Sequence, residues 1–199
     1  MSAIIVAKGP TAKQIYKDDY PDTYIVGINQ ACKFIDKPDY VFMNDIESLK
    51  GLTSEDVKQV QCFVIPEFPH QNARATVSIT KTDFITKLNK LNYTGKVVSF
   101  NLHTGPVKKD GVLTTIHACT TTSHTAIYYM SKVHGVTHFE TYGFLIQNEY
   151  GYQNEEFYTY TSETHSENDI KHIYKRDFNK NLASLNHVKE LLNLQINRF

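Results

Sequence analysis

The residues best suited to chemistry lie near the start of the chain, in the turn Lys8-Gly9-Pro10-Thr11 that follows the apolar run Ala3–Ala7. Gly9 lets the backbone approach a ligand, Pro10 suits a first helical position, and Thr11 supplies a hydroxyl. A helix starting here would offer its N–H groups and dipole to a phosphate, and Lys8 adds a positive charge. The turn therefore predicts either a nucleotide phosphate site or a glycine needed only for packing. The dinucleotide fingerprint GxGxxG is absent, which disfavours nicotinamide or flavin binding.

Polar side chains follow two further apolar runs. Asn29 comes after Thr23–Ile28, and Asn44 and Asp45 come after the next run. Ligands of doubly wound sheets bind at the carboxyl ends of the strands, so these groups should face the same crevice as Gly9. One such residue is usually a helix cap. Together they favour a nucleoside site, because ribose and base edges require amide or carboxylate partners.

The run Thr120–Thr125 opens an otherwise apolar helix with six polar residues. Capping uses one or two hydroxyls, which leaves the others for a ligand or for solvent. Thr122, Ser123 and His124 are the candidates for ligand contact. The alternative is an unusually polar first turn.

His165 lies between a tyrosine-rich stretch and a predicted helix. Histidine titrates near neutral pH and suits general-base catalysis, although a chain with nine histidines gives any one of them a structural alternative. A basic run follows, with pairs spaced i,i+4 on one helix face. It indicates a solvated face, a clamp on a donor phosphate or a contact to acceptor phosphates. Its members are Lys171, Lys175, Arg176 and Lys180.

These residues need a framework, and the pattern of apolar runs predicts one. Short runs without alternation indicate strands of a parallel sheet covered on both faces. The predicted strands are Ala3–Ala7, Thr23–Ile28, Tyr40–Met43, Gln61–Ile65, Lys96–Phe100 and Thr137–Tyr142. The predicted helices are Thr11–Lys17, Gln30–Ile35, Lys81–Leu91 and Ala118–His134. This alternation predicts an α/β fold, a single doubly wound Rossmann-like domain over residues 1–199.

Two later segments complete the predicted framework. The polar, tyrosine-rich segment over about residues 147–168 is too long for an ordinary loop, and we interpret it as a lid. The helix Ala118–His134 should bury Ala126, Tyr129, Met130 and Val133 and end at Gly135. A C-terminal helix should pack a leucine-rich face on the sheet, formed by Leu182, Leu185, Val188, Leu191 and Leu192.

Bulk composition restricts the classes of function. Lys and Arg are as numerous as Asp and Glu, so the net charge gives no general attraction to nucleic acid. This balance does not exclude a local basic patch. No run reaches transmembrane length and no signal peptide is visible, which predicts a cytoplasmic protein without a membrane span. Cys32, Cys62 and Cys119 lack metal-ligand spacing, and Walker, GxSxG, HExxH and DxD motifs are absent. We therefore expect no metal and no cofactor.

Several motifs recur in the order found in one family. They are Ala7-Lys8-Gly9-Pro10-Thr11, Asn29-Gln30, Tyr40–Asn44, Thr122-Ser123, Gly135, Tyr142-Gly143 and His165-Ser166 followed by Asn168–Lys171. In this order and over most of its length, the chain resembles the small bacterial sialyltransferases of glycosyltransferase family 42, which open with Gly-Asn-Gly-Pro-Ser. The resemblance implies a variant of the GT-A fold and metal-independent sugar transfer. It also implies that His165 deprotonates the acceptor hydroxyl and that Tyr152, Tyr158 or Tyr160 of the lid holds the donor phosphate.

Three departures from the family pattern bear on specificity. Lys8 replaces an asparagine, and its added charge suits the two phosphates of a UDP-sugar better than the single phosphate of CMP-sialate. His124 replaces a glycine and alters the floor of the sugar site. Leu145 stands where the family usually has Asp, which leaves the sugar and the acceptor open.

The predicted function is inverting transfer of a sugar from a nucleotide-sugar donor to a hydroxyl group. The acceptor is either a glycan or a hydroxymethylated base in DNA, and a homo-oligomer is left open. One alternative is a pterin-type pyrophosphokinase, which would need Mg²⁺ and carboxylate ligands of which Asp45 alone is well placed. Another is a non-catalytic nucleotide-binding module, which would not need His165.

Overall fold

The structure is a computed structural model that describes residues 1–9, 11–67, 79–103, 114–117, 121–144 and 182–198, with backbone alone for 101–103 and 114–117. The described strands are β1 (Ser2–Val6), β2 (Ile15–Tyr16), β3 (Thr23–Ile28), β4 (Ile35–Asp36), β5 (Tyr40–Phe42), β6 (Cys62–Pro66), β7 (Lys96–His103), β8 (Thr114–His117), β9 (His138–Tyr142) and β10 (Gln195–Arg198). The α-helices in these ranges are α1 (Ser54–Lys58), α2 (Lys81–Lys90), α3 (Thr122–His134) and α4 (182–192). Three 3-10 helices lie at Lys17–Asp19, Asn29–Phe34 and Ile46–Leu49.

Eight of these strands form one parallel sheet in the order β10-β9-β1-β3-β5-β6-β7-β8. From β1 the chain adds strands in one direction as far as β8, and it then crosses back through α3 to place β9 on the other side of β1. The order therefore reverses between β1 and β9, which is the topological switch point of the sheet. The short strands β2 and β4 pair separately.

Both faces of the sheet carry apolar side chains, as a parallel sheet requires. On one face, Ala3 and Ile5 of β1 pack in the cluster that contains residues of α3 and α4. On the other face, Ile4 and Val6 pack with residues of the segment that contains β2 and β4. Farther along that second face, α1, α2 and the helix Ile46–Leu49 cover β5 and β6. Helices on both faces of a parallel sheet confirm the predicted doubly wound, Rossmann-like α/β fold.

Helix α3 is the main element of the first face. Thr121 caps its start by accepting a hydrogen bond from the backbone N–H of His124. Gly135 ends it in the left-handed conformation with φ 66°, where glycine is favoured. Ala126, Tyr129 and Met130 are buried as predicted, whereas Val133 is exposed.

Most of the predicted strands correspond to observed strands, and the predicted helices at 81–91 and 118–134 correspond to α2 and α3. Helix α3 begins at Thr122, and residues 118–120 lie outside the described ranges. The predicted helix Thr11–Lys17 is wrong, because residues 12–14 are irregular and β2 follows. The predicted helix at 30–35 is the 3-10 helix Asn29–Phe34. In α4, Leu185 and Val188 are buried and Leu182 and Leu192 pack beside them, but Leu191 is 58% exposed.

The predicted lid, residues 147–168, lies outside the described residues. Strands β2, β4, β8 and β10 and helix α1 were not predicted from the sequence. No helix in the described ranges combines the length and apolar character needed to cross a bilayer.

Candidate nucleotide-binding site

The opening turn packs against the end of β9. Ala7 N–H donates to the carbonyl of Tyr142 at 2.8 Å, and Gly9 N–H donates to the carbonyl of Gly143 at 2.7 Å. Gly143 N–H in turn donates to Oγ1 of Thr11 at 2.9 Å. A Cβ atom on Gly9 would lie 2.5 Å from the carbonyl oxygen of Gly143, so the close backbone approach requires glycine.

These contacts bear on the phosphate site predicted at the turn Lys8-Gly9-Pro10-Thr11, which depends on the N-terminus of a helix. Residues 11–14 form a turn and irregular backbone rather than a helix, so they offer no helix dipole, and the backbone N–H of Gly9 already has a protein acceptor. Gly9 therefore has the packing role that the sequence left as an alternative. Pro10 lies outside the described residues. The backbones of the two loops meet at the switch point itself, so the remaining polar edge of the sheet is formed by the ends of β1, β3 and β5.

Lys8 lies at that edge and is part-buried. Its Nζ donates to Oε1 of Gln30 at 3.1 Å, at the tip of the neighbouring strand β3. Burial lowers the pKa of Lys8 to about 8, because the charged form loses hydration, while the negative charge of Asp45 opposes that shift. Lys8 is therefore a cation near neutral pH, located between the tips of β1, β3 and β5.

Asn29 and Asn44 follow β3 and β5 and carry buried amide oxygens. Oδ1 of each is buried and accepts no hydrogen bond within the part of the chain that the structure describes. Asn29 has φ 55°, a left-handed conformation that asparagine tolerates better than most residues. Asn44 is 8% exposed, and its Nδ2 donates to Oγ1 of Thr125 in the first turn of α3 at 3.4 Å. A buried acceptor without a donor is unfavourable, so these oxygens are suited to a ligand that brings donors.

The first turn of α3 forms another side of the site through Thr125. The side chain of Thr121 caps the helix, and Oγ1 of Thr125 also donates to the carbonyl of Thr121 at 3.1 Å. Thr122 is buried and Ser123 is partly exposed. His124 is 2% exposed, and burial lowers its pKa to about 4, so the imidazole is neutral at physiological pH.

The structure brings Lys8, at the tip of β1, into electrostatic interaction with Asp45 at the tip of β5, and it joins the adjacent Asn44 to the start of α3 through Thr125. Thr11 is tied to Gly143 on the β9 side of this edge. The predicted site residues that lie outside the described ranges are Pro10, Tyr152, Tyr158, Tyr160, His165, Lys171, Lys175 and Arg176.

Sequence reasoning gave no role to two residues that organise the site. Gln30 receives the Lys8 amine, and Thr125 receives the Asn44 amide. Thr125 could have been found from its i,i+4 spacing to the cap residue Thr121, which places both hydroxyls on one helix face. Gln30 belongs to the Asn29-Gln30 pair of the resemblance, but its contact with Lys8 joins residues 22 positions apart, which no local pattern predicts.

In the described ranges, no group of three or more His, Cys, Asp or Glu side chains could hold a metal ion. Comparison of the chain with protein-family models, curated proteins and solved structures found no match in any of the three.

Proposed function

We propose that the carboxyl edge of β1, β3 and β5 binds the nucleotide part of a nucleotide-sugar and that the protein transfers the sugar to a hydroxyl group. The observation that carries the binding proposal is the amide of Asn44. It is buried beside the first turn of α3, with Nδ2 held by Thr125 and Oδ1 without a donor among the described residues. A ribose hydroxyl or a base amino group would supply that donor.

Asn29 supports the same interpretation from the adjacent strand. Its buried Oδ1 also lacks a donor in the described part of the chain. Two amide oxygens of this kind at neighbouring strand tips suit a ligand with several separated donors, as a nucleoside has. A single inorganic anion would bring acceptors rather than donors and would leave both oxygens unsatisfied.

The charge of the site supports a diphosphate. Lys8 provides a cation at this edge, where the sialyltransferases that the sequence resembles have a neutral asparagine. Each additional phosphate of a donor adds negative charge that an adjacent ammonium stabilises, most strongly where water is partly excluded. A UDP-sugar is therefore the favoured donor over a CMP-sugar.

The transfer step rests on the resemblance to family 42 glycosyltransferases. His165 takes the proton of the acceptor hydroxyl while its oxygen attacks the anomeric carbon from the side opposite the donor phosphate. The new C–O bond forms as the bond to phosphate breaks, the phosphate leaves with the electron pair, and the anomeric configuration inverts. By the same resemblance, Tyr152, Tyr158 or Tyr160 would bind the departing phosphate, and a closed lid would exclude water.

A non-catalytic nucleotide-binding module is the second candidate function. The amine of Lys8 and the buried amide oxygens of Asn29 and Asn44 are groups suited to binding a ligand, and binding by them requires no reaction. The two functions share the nucleotide site and differ in whether His165 acts on a bound donor.

Incubation with a panel of nucleotide-sugars separates the two functions. A transferase hydrolyses its donor slowly when no acceptor is present, so we expect release of UDP from a UDP-sugar, measured by chromatography. His165→Ala should lower this release by about 10²–10⁴-fold while the donor dissociation constant stays within about twofold. Binding without turnover in both proteins would indicate the module, and tighter binding of CMP-sugars than of UDP-sugars would overturn the donor assignment.

Asn44→Leu tests the site itself. The change removes the amide oxygen and the amide nitrogen of the side chain, so the affinity for UDP, measured by calorimetric titration, should fall by at least about tenfold. Asn89→Leu, at an exposed position on α2, is the matched control and should bind UDP as the wild type does. Unchanged affinity in a folded Asn44→Leu protein would remove the basis of the proposed site.

A further inference from the structure

A cavity lies at the amino end of the sheet, opposite the proposed nucleotide site. Its volume is about 200 Å³, and it lies over the amino-terminal halves of β3, β1, β9 and β10, with Tyr20 at its side. Ala3, Phe139 and Ile196 belong to the core on the α3 side of these strands. Because side chains alternate along a strand, their neighbours in sequence lie on the other face, where the cavity is.

The strand register arranges the lining side chains in two rows. Ser2 pairs with both Thr23 and His138, and His138 pairs with Gln195, so the first row is polar across four strands. In the second row, Glu140 pairs with Asn197 and with Ile4.

This polar surface lies at the edge of the sheet that ends in β10, a strand that is mostly exposed. The strands of a parallel sheet are normally covered on both faces and are apolar on both. On β9 and β10 the cavity face is instead polar in both rows, with Glu140 beside Asn197 in the second. Such a surface is suited to a polar ligand rather than to an apolar covering layer.

Hydrogen bonds fix several of the polar groups that surround the cavity. Oγ of Ser2 and Oγ1 of Thr23 are 3.0 Å apart. The hydroxyl of Tyr142 donates to Oε2 of Glu140 at 3.3 Å. The groups are therefore positioned before any ligand arrives, which reduces the entropy lost on binding.

The charge of the lining selects against anions. Glu140 contributes a carboxylate, and the described residues that line the cavity include no lysine or arginine. The remaining polar groups are hydroxyls, side-chain amides and the imidazole of His138, which both donate and accept hydrogen bonds. Tyr20 adds an aromatic ring, which can pack against the C–H face of a sugar.

We infer that this cavity binds a single neutral monosaccharide unit. Its volume is below the roughly 300–1,000 Å³ of pockets for drug-sized ligands and suits one sugar ring. Because it lies at the amino edge of the sheet, away from Lys8 and Asn44, it is a site separate from the proposed nucleotide site. The inference concerns binding alone and does not depend on sugar transfer.

Titration of the full chain with sugars, monitored by the NMR signals of the backbone amides, tests whether the cavity binds a monosaccharide. Glucose, galactose and N-acetylglucosamine are the neutral probes, and N-acetylneuraminate is the anionic comparator. At least one neutral sugar should shift the resonances of His138, Glu140 and Asn197 with a dissociation constant on the order of millimolar. Absence of such shifts with all three neutral sugars, or tighter binding of N-acetylneuraminate, would overturn the inference.

Variants locate the binding. Glu140→Gln should weaken the neutral sugar by about tenfold, because a hydrogen bond to a charged acceptor becomes one to a neutral acceptor. Glu55→Gln, an exposed carboxylate on α1, is the matched control and should bind as the wild type does. Gln195→Ala, on the exposed edge strand β10, should also weaken binding of the neutral sugar. This variant provides the test if Glu140→Gln does not fold. Wild-type affinity in every folded cavity variant would refute the assignment.

Discussion

The amine of Lys8 is part-buried at the proposed nucleotide site, and this makes its charge sensitive to pH near neutrality. Burial lowers its pKa to about 8, with Asp45 limiting the shift. A diphosphate ligand interacts with the protonated amine, so ligand affinity should follow that protonation. This dependence connects the local environment of one side chain to a measurable property of the proposed function.

We expect UDP affinity to fall about tenfold between pH 7 and pH 9, as Lys8 loses its proton. Calorimetric titration across this range measures the effect. Lys8→Arg should remain charged, and its affinity should change by less than about twofold over the same range. Lys50→Arg, an exposed lysine, is the control and should keep the wild-type profile. An equal decline in Lys8→Arg would attribute the pH dependence to another group.

Thr11 gives a second test at the residue scale. Its hydroxyl accepts the N–H of Gly143, so Thr11→Val removes a structural hydrogen bond and should reduce the free energy of unfolding by about 1 kcal/mol. Urea denaturation measures this, with Thr82→Val at an exposed position of α2 as the matched control. Unchanged stability together with a large loss of UDP affinity would instead assign Thr11 to the ligand phosphate.

At the scale of elements, α3 has two roles. Its buried residues form much of the core on one face of the sheet, and its first turn positions Thr125 against Asn44. The cap at Thr121 holds that turn by accepting the N–H of His124. Stability and site geometry therefore depend on the same few residues.

Thr121→Ala should lower the free energy of unfolding by about 1 kcal/mol, because the His124 N–H loses its side-chain acceptor. Thr121→Ser retains a hydroxyl and should recover most of the loss. Both values come from urea denaturation followed by circular dichroism. Equal destabilisation by serine and alanine would show that the methyl group of Thr121, rather than the cap, is responsible.

At the scale of the whole molecule, buried histidines connect stability to pH. The pKa of His124 is lowered from 6.5 to about 4 by burial, and burial and the charge of Lys96 also lower the pKa of His134. In the unfolded chain these groups take up protons as pH falls below about 6.5, whereas the folded protein resists protonation. The unfolded state is therefore favoured progressively from about pH 6.5 down to about pH 4.

From His124 alone, the free energy of unfolding should fall by up to about 1.4 kcal/mol per pH unit in this window. Urea denaturation at pH 7, 6 and 5 measures the slope. His124→Gln should reduce it, although the variant itself is expected to be less stable at pH 7. His187→Gln, at an exposed position of α4, should keep the wild-type slope. An unchanged slope in His124→Gln would exclude His124 as a source of the pH dependence.

The sequence predicted the central strands because their residues are buried on both faces, and such strands appear as short uninterrupted apolar runs. It did not predict β10, which is a mostly exposed edge strand, and a polar strand of that kind has no apolar signature. It predicted a helix after Lys8-Gly9-Pro10-Thr11 because the local pattern favours one. Contacts with Gly143, more than 130 residues away, hold the segment in another conformation.

The sequence by itself determined the parallel α/β architecture and the polar strand tips Lys8, Asn29, Asn44 and Asp45. Both follow from local patterns, the burial of each strand and the residue that comes after it. Only the tertiary structure decided that Gly9 packs against Gly143, that Lys8 meets Gln30, and that the amide of Asn44 lies beside Thr125 with one oxygen unsatisfied among the described residues. These are contacts between distant parts of the chain, and they form because the strand order brings β1, β3, β5, β9 and α3 together.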